Sequence, residues 1–208
     1  MRNALLSLSN KTRCLELVDF LIGKNCNIIA SKGTYNYLYG CVPNTNLKKI
    51  DDMIQFPIVL EQRMKCFHPA IFTGLLADTA YTKQNNYLKP HNITTIDITV
   101  ANLYPFEKMI HGFSGKIEKK DDILLGQIDI GGHGILRAAA KNYKDNIVLC
   151  SPTQYSYFMK NHDELLISED LRRELALETF EYITNHDISI SNYFANEQKN
   201  RKQKNIKT

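Results

Sequence analysis

Apolar and polar positions along this chain follow one another in repeated strand–turn–helix units. Ala4 to Ser9 is a short, nearly continuous apolar run that ends in the polar stretch Ser9-Asn10-Lys11-Thr12. Leu15, Val18, Leu21 and Ile22 then return at helical spacing, which predicts a strand, a polar turn and a helix. Gly23-Lys24-Asn25 breaks that helix, Cys26 to Ala30 gives a second apolar run, and Ser31-Lys32-Gly33-Thr34 leads into Tyr35-Asn36-Tyr37-Leu38. The same unit thus occurs twice. Two successive units of this kind predict a parallel sheet with right-handed crossovers, buried on both faces by helices.

Further strands are expected at Thr95 to Ala101 and Asn146 to Cys150. Between them, Gly131-Gly132-His133-Gly134 precedes an Ala-rich helical segment, Ile135 to Lys141. Leu171 to Ile183 carries Leu175, Phe180 and Ile183 among Glu and Arg, the pattern of an amphipathic helix laid on the sheet. Lys108 to Asp122 is polar without strong periodicity and is the expected mobile excursion.

Composition changes this picture little, because 43% apolar, 10% aromatic and 23% charged residues are those of an ordinary globular domain. Charge changes it locally. The net charge of +4 sits at the end: from Glu197 onward there are five basic residues and one acidic, leaving 21 of each sign in the remainder. The body is formally neutral, so nucleic acid is not an expected partner. Residues 196–208, rich in Lys, Asn and Gln, read as a disordered terminus or the start of a linker, after one domain over 1–195. Five cysteines without a Cys-x-x-Cys pair argue against a disulfide framework or a zinc site. No apolar stretch has the length of a signal peptide or a membrane span, so a cytoplasmic location is expected.

Both early turns fall where an open parallel sheet binds ligands, at the carboxyl ends of strands and the N-termini of helices. The first offers Ser9, Lys11 and Thr12, and the second Ser31, Lys32, Gly33 and Thr34. Together they form a candidate phosphate cradle, although Ser and Thr in such turns also serve as plain helix caps. No Walker sequence is present, and Gly132-x-Gly134 lacks a third glycine at the dinucleotide spacing.

Four further segments follow in order: Arg63-Met64-Lys65-Cys66-Phe67-His68-Pro69, Asn102-Leu103-Tyr104-Pro105-Phe106, Ile128-Asp129-Ile130-Gly131-Gly132, and Leu136-Arg137-Ala138-Ala139-Ala140-Lys141-Asn142. With the two turns, they resemble the IMP cyclohydrolase domain of the bifunctional purine enzyme that also carries AICAR transformylase. The resemblance implies a methylglyoxal-synthase-like α/β fold, a homodimer, no cofactor and no metal. It implies closure of 5-formamidoimidazole-4-carboxamide ribotide to IMP, with a transformylase domain or protein as a further partner.

Matched position by position, the resemblance places catalysis at Lys65, Tyr104, Asp129 and Lys141, and the nucleotide among Arg63, Cys66, Asn102, Gly131 and Gly132. Lys65 would stabilise charge on the formyl oxygen, Tyr104 and Asp129 would handle the carboxamide and its proton, and Lys141 would assist dehydration. His68, held before Pro69, is expected to be structural. The chain departs from the family's usual residues at Asn10 (Asp), Arg13 (Gly), Lys32 (Gly), Gln62 (Gly), Cys66 (Thr) and Tyr143 (His). Two other readings stay open on sequence: a non-catalytic phosphate-ligand module on the same fold, and a fragment of the bifunctional enzyme.

Overall fold

The computed structural model describes residues 2–53, 66–78, 86–88, 90–112 and 120–206. Five strands form one sheet: β1 (Arg2–Leu8), β2 (Cys26–Ala30), β3 (Leu47–Lys49), β4 (Ile98–Asn102) and β5 (Ile147–Leu149). Their order is β3-β2-β1-β4-β5, with every pairing parallel. The helices are α1 (Cys14–Gly23), α2 (Lys32–Leu38), α3 (Pro69–Leu76), α4 (Phe106–Gly112), α5 (Lys120–Leu125), α6 (Gly131–Lys141), α7 (Tyr155–Leu165) and α8 (Glu169–Ile206). This is the parallel, methylglyoxal-synthase-like α/β fold expected from the sequence.

Consecutive residues of the central strands are buried, Ala4, Leu5 and Leu6 on β1 and all five residues of β4. A strand's side chains alternate between faces, so both faces of the sheet are covered. One cover is α1, whose Cys14, Leu17, Val18 and Leu21 repeat at helical spacing and are wholly buried. Another is α6, whose Ala138, Ala139 and Ala140 are small enough to let its backbone lie close to the sheet and to α8. Leu175, Ala176, Thr179 and Ile183 supply the buried face of α8.

Several side chains from the recurring segments turn out to hold elements together. His68 caps α3, its Nδ1 accepting from the Ala70 N–H at 3.2 Å, the structural role expected of it. Asn142 donates to the carbonyls of Leu75 and Ala77 at 2.9 and 3.2 Å, tying the end of α6 to the end of α3. Tyr143, where the family usually has histidine, packs its hydroxyl by Glu169 and Arg173 at the start of α8.

The structure differs from the pattern reading in three places. β3 is only three residues long, too short for periodicity to reveal. The polar stretch Lys108 to Asp122 contains parts of two helices, α4 and α5, with 113–119 outside the described residues. Helix α8 extends far past Ile183, and residues 196–206, read from composition as an unordered tail, continue it without a break. Lys, Arg and Gln are good helix formers, so a polar run can prolong a helix already anchored by its buried first half.

Gly74 on α3 lies against the strand-to-sheet connection: a Cβ there would sit 2.2 Å from the Thr94 carbonyl oxygen. Gly74→Ala is therefore expected to lower stability by about 3 kcal/mol, read from the urea unfolding midpoint. Gly23→Ala, whose methyl would meet nothing within 4 Å, should shift stability by less than about 1 kcal/mol.

Candidate active site

Strand order reverses at β1. The chain runs outward from β1 through β2 to β3, then returns to place β4 on the other side of β1 and β5 beyond it. Connections leaving β1 and β4 at their carboxyl ends therefore diverge, and a crevice opens between them. It is a cleft of about 830 Å³, lined by Ser9, Lys11, Ser31, Gly33, Cys66, Asn102, Tyr104, Asp129, Gly131 and Gly132, with Asp122 and Leu125 of α5 closing one side.

The register sets the two turns of the cradle. Leu8 pairs with Asn102 across β1 and β4, and Leu6 with Ala30 across β1 and β2. Asn102 thus sits opposite the last residue of β1. Its Oδ1 accepts from the N–H groups of Ser9 and Asn10 at 2.8 and 2.7 Å, and its Nδ2 donates to the Asn10 carbonyl at 3.0 Å. Thr34, fully buried, accepts the Leu8 N–H at 2.9 Å through its hydroxyl, which also accepts from Ser31 Oγ at 3.3 Å. The Asn10 side chain then accepts the Thr12 N–H at 3.0 Å, which aspartate at this position would also do.

The sequence-predicted phosphate residues accordingly separate. Ser9, Lys11, Ser31 and Gly33 line the cleft. Thr34 faces inward and joins the two turns, while Thr12 and Lys32 lie on the exposed rim outside the lining. Lys32 is the first residue of α2 and has no positive φ, so a side chain is tolerated where the family usually has glycine. Ser31 gives α2 no side-chain cap, leaving the partial positive charge of the helix start uncompensated by its own cap. Gly33 has open space around its missing Cβ and no positive φ, so none of the described residues requires glycine there.

Arg13 takes the left-handed conformation at φ 57°, which explains why glycine is usual there. The strain is offset by a paired contact of its guanidinium with Glu16, at 2.7 Å for both bonds, and by a 2.7 Å bond to Ser156 Oγ.

Asp129, also in the lining, precedes α6. Its Oδ1 accepts from the Gly132 N–H at 2.7 Å, capping the helix start. A Cβ on Gly132 would come within 2.8 Å of Asp129 Oδ2, so the glycine is what lets the carboxylate fold back over the first turn. Tyr104 lies half-buried in the lining, its hydroxyl without a hydrogen bond among the described residues. The backbone before it is held by α8, where the Tyr182 hydroxyl accepts the Leu103 N–H at 3.0 Å. Nothing in the sequence signals Tyr182 as a support of this site.

Other titratable groups are excluded by their surroundings. Burial pushes the thiols of Cys14 and Cys150 up to about 11 each, so both stay protonated at neutral pH. Burial also pushes the His186 imidazole below its ordinary value, against the opposing pull of Asp187 and Asp129. Among the described residues no group of three or more His, Cys, Asp or Glu could hold a metal ion, and no helix is long and apolar enough to cross a membrane.

The four residues assigned to catalysis by resemblance are not all brought together. Tyr104 and Asp129 share the cleft. Lys65, with Arg63 and Gln62, lies outside the described residues. Lys141 is at the far end of α6, about 15 Å along the axis from Gly131 at a rise of ~1.5 Å per residue. It opens instead on a neighbouring cavity of about 790 Å³ with Phe72, His133, Arg137 and Phe180, which shares only Ile128, Asp129 and Ile130 with the cleft.

The family model described as the AICARFT/IMPCHase bienzyme matches residues 139–208. A bifunctional purine biosynthesis protein of Oenococcus oeni is 36% identical over 95% of this chain, and one of Clostridium perfringens 39% identical over 92%. One of Buchnera aphidicola is 35% identical over 99%. The chain spans only 37–38% of the length of these relatives. A crystal structure of ForH, 23% identical, superposes with a TM-score of 0.76 over 93% of this chain and 98% of that one, a likeness of fold. At 35–39% identity over more than nine-tenths of its length, the chain is similar to a part of the bifunctional purine biosynthesis proteins.

Proposed function

We propose that this chain is an IMP cyclohydrolase unit, closing 5-formamidoimidazole-4-carboxamide ribotide to IMP with loss of water. The observation that carries the reading is one cleft lined by Ser9, Lys11, Ser31 and Gly33 of the two early turns together with Tyr104, Asp129, Gly131 and Gly132. A nucleoside monophosphate asks for both sets, donors for its anion and polar groups for its planar base.

The chemistry asks for few groups. An amide nitrogen is a weak nucleophile, so its proton must leave as it attacks the formyl carbon, and the formyl oxygen must gain a proton to become a hydroxyl. Asp129, oriented by the bond from the Gly132 N–H to its Oδ1, receives the carboxamide proton. Tyr104 orients the amide. Lys65 is assigned by resemblance to the developing charge on the formyl oxygen. In the second stage the C–O bond breaks, the oxygen departs with a proton as water, and the adjacent ring N–H gives up its proton as the C=N bond forms. Both reacting groups belong to one molecule, so holding them in a near-attack geometry supplies much of the rate. The assignment of Lys141 to dehydration rests on the resemblance alone, since within one chain it faces the neighbouring cavity.

The same reading gives a working unit over 1–195 followed by 196–208 as a connecting segment, a homodimer, a cytoplasmic setting and a transformylase domain or protein as partner. Exposed Phe67 and Ile130 beside the cleft, 50% and 56% accessible, are consistent with a surface covered by another protein.

Single-turnover conversion of the formamido ribotide, corrected for spontaneous closure, tests the proposal. Asp129→Asn preserves the acceptor for Gly132 while removing the base, and is expected to slow closure by about 10²–10⁴-fold; Lys65→Met should also slow it sharply. Tight nucleotide binding by the unaltered protein without turnover would instead establish a non-catalytic module.

The glycine floor gives a second prediction. Gly132→Ala, which crowds the Asp129 carboxylate, should lower kcat by about 10²-fold. Gly131→Ala, whose methyl meets Cys66 at an ordinary 3.6 Å, should fold normally and raise KM by projecting into the cleft. Equal effects of both on kcat and KM in steady-state assays would contradict this division.

A further inference from the structure

We propose that Asn102 is a positioning residue of the phosphate cradle, acting through Ser9 and Lys11; this deepens the cyclohydrolase reading and rests on it for the ligand. An asparagine amide offers four hydrogen-bonding positions, two lone pairs and two N–H groups. Three of the four on Asn102 are taken by the backbone of the first turn, at 2.7, 2.8 and 3.0 Å, and the residue is only 5% exposed.

The consequence lies in which donors remain for an anion. The N–H of Leu8 goes to Thr34, those of Ser9 and Asn10 go to Asn102, and that of Thr12 goes to the Asn10 side chain. At these four positions the first turn keeps no backbone donor. What it presents to an anion is therefore chiefly the Ser9 hydroxyl and the Lys11 ammonium, which line the cleft, with the Lys11 N–H beside them. Those two side chains have no rigid element of their own, for they lie between the end of β1 and the first residue of α1. Their direction is set by the turn's backbone, and Asn102, 92 and 93 residues away in sequence, is what clamps it. Lys11 is further steadied by a 3.3 Å bond from its Nζ to the Leu8 carbonyl, which depends on the same turn geometry.

Three measurements test this on the full chain. First, hydrogen exchange in the ligand-free protein: Asn102→Ala should remove protection of the Ser9 and Asn10 amides. Second, kinetics: Asn102→Ala should raise KM for the ribotide about tenfold with a smaller effect on kcat, and this penalty should largely vanish in a Ser9→Ala, Lys11→Met background, because the residues act as one unit.

Third, Asn102→Asp serves where the alanine variant folds poorly. An ionised carboxyl there faces the Asn10 carbonyl oxygen and repels it. A protonated one donates to it as the amide does, so the variant's KM relative to the unaltered protein should fall back as pH is lowered. Unchanged amide exchange, additive kinetic effects, or a pH-independent defect would each overturn the proposal. The exchange measurement needs no nucleotide; if the unaltered protein fails to bind IMP or turn over the ribotide, the cyclohydrolase reading falls while the clamp is still decided.

Discussion

Everything in this molecule hangs on the double pairing of β1. It is bonded to β2 on one side and β4 on the other, and its middle residues are wholly buried. Because the strand order reverses there, the loops that follow β1 and β4 part, and the crevice needs no dedicated element to create it. The register then does the fine placement. With Leu8 opposite Asn102 and Leu6 opposite Ala30, β1 runs two residues past the end of β2, and the Thr34 hydroxyl reaches back from α2 to the Leu8 N–H. A one-residue slip would swap inward and outward side chains along β1, and burial on both faces penalises that heavily.

The electrostatics of the cleft follow from this placement. A formally neutral body carries no broad field, so attraction for an anion has to be local. In the proposed reading it comes from Lys11 on one side. On the other, Asp129 spends one oxygen on the start of α6, which both orients the carboxylate and offsets the helix's own partial charge. Lys11 and Asp129 thus line one cleft, the first beside the early turns and the second at the start of α6.

Departures from the family's usual residues become intelligible in the same terms. Arg13 occupies a backbone conformation made for glycine, and its contacts to Glu16 and Ser156 hold it there. Lys32 occupies an ordinary helical position, so its charge is added at the rim without backbone cost. Cys66 is buried beside Gly131, where a small side chain suffices to complete the wall.

Local pattern determined a good deal of this by itself. Runs such as Ala4 to Ser9 and Cys26 to Ala30, and the spacing of Leu15, Val18 and Leu21, report on strands and helices because burial on a regular element repeats at that element's period. The ordered segments around Tyr104, Asp129 and Gly131, which line the cleft, were singled out only by their resemblance to a known family, since as a helix cap or turn residues they carry no periodic signal. What the sequence could not reveal were contacts between remote positions. That Asn102 and Thr34 are spent on the backbone of the first turn, that Tyr182 braces Leu103 from 79 residues away, and that Lys141 faces a different cavity were decided only by the tertiary structure. A side chain's type states what bonds it can make, but which partner it meets is fixed by strand register and helix docking, and neither is written in any local stretch of the chain.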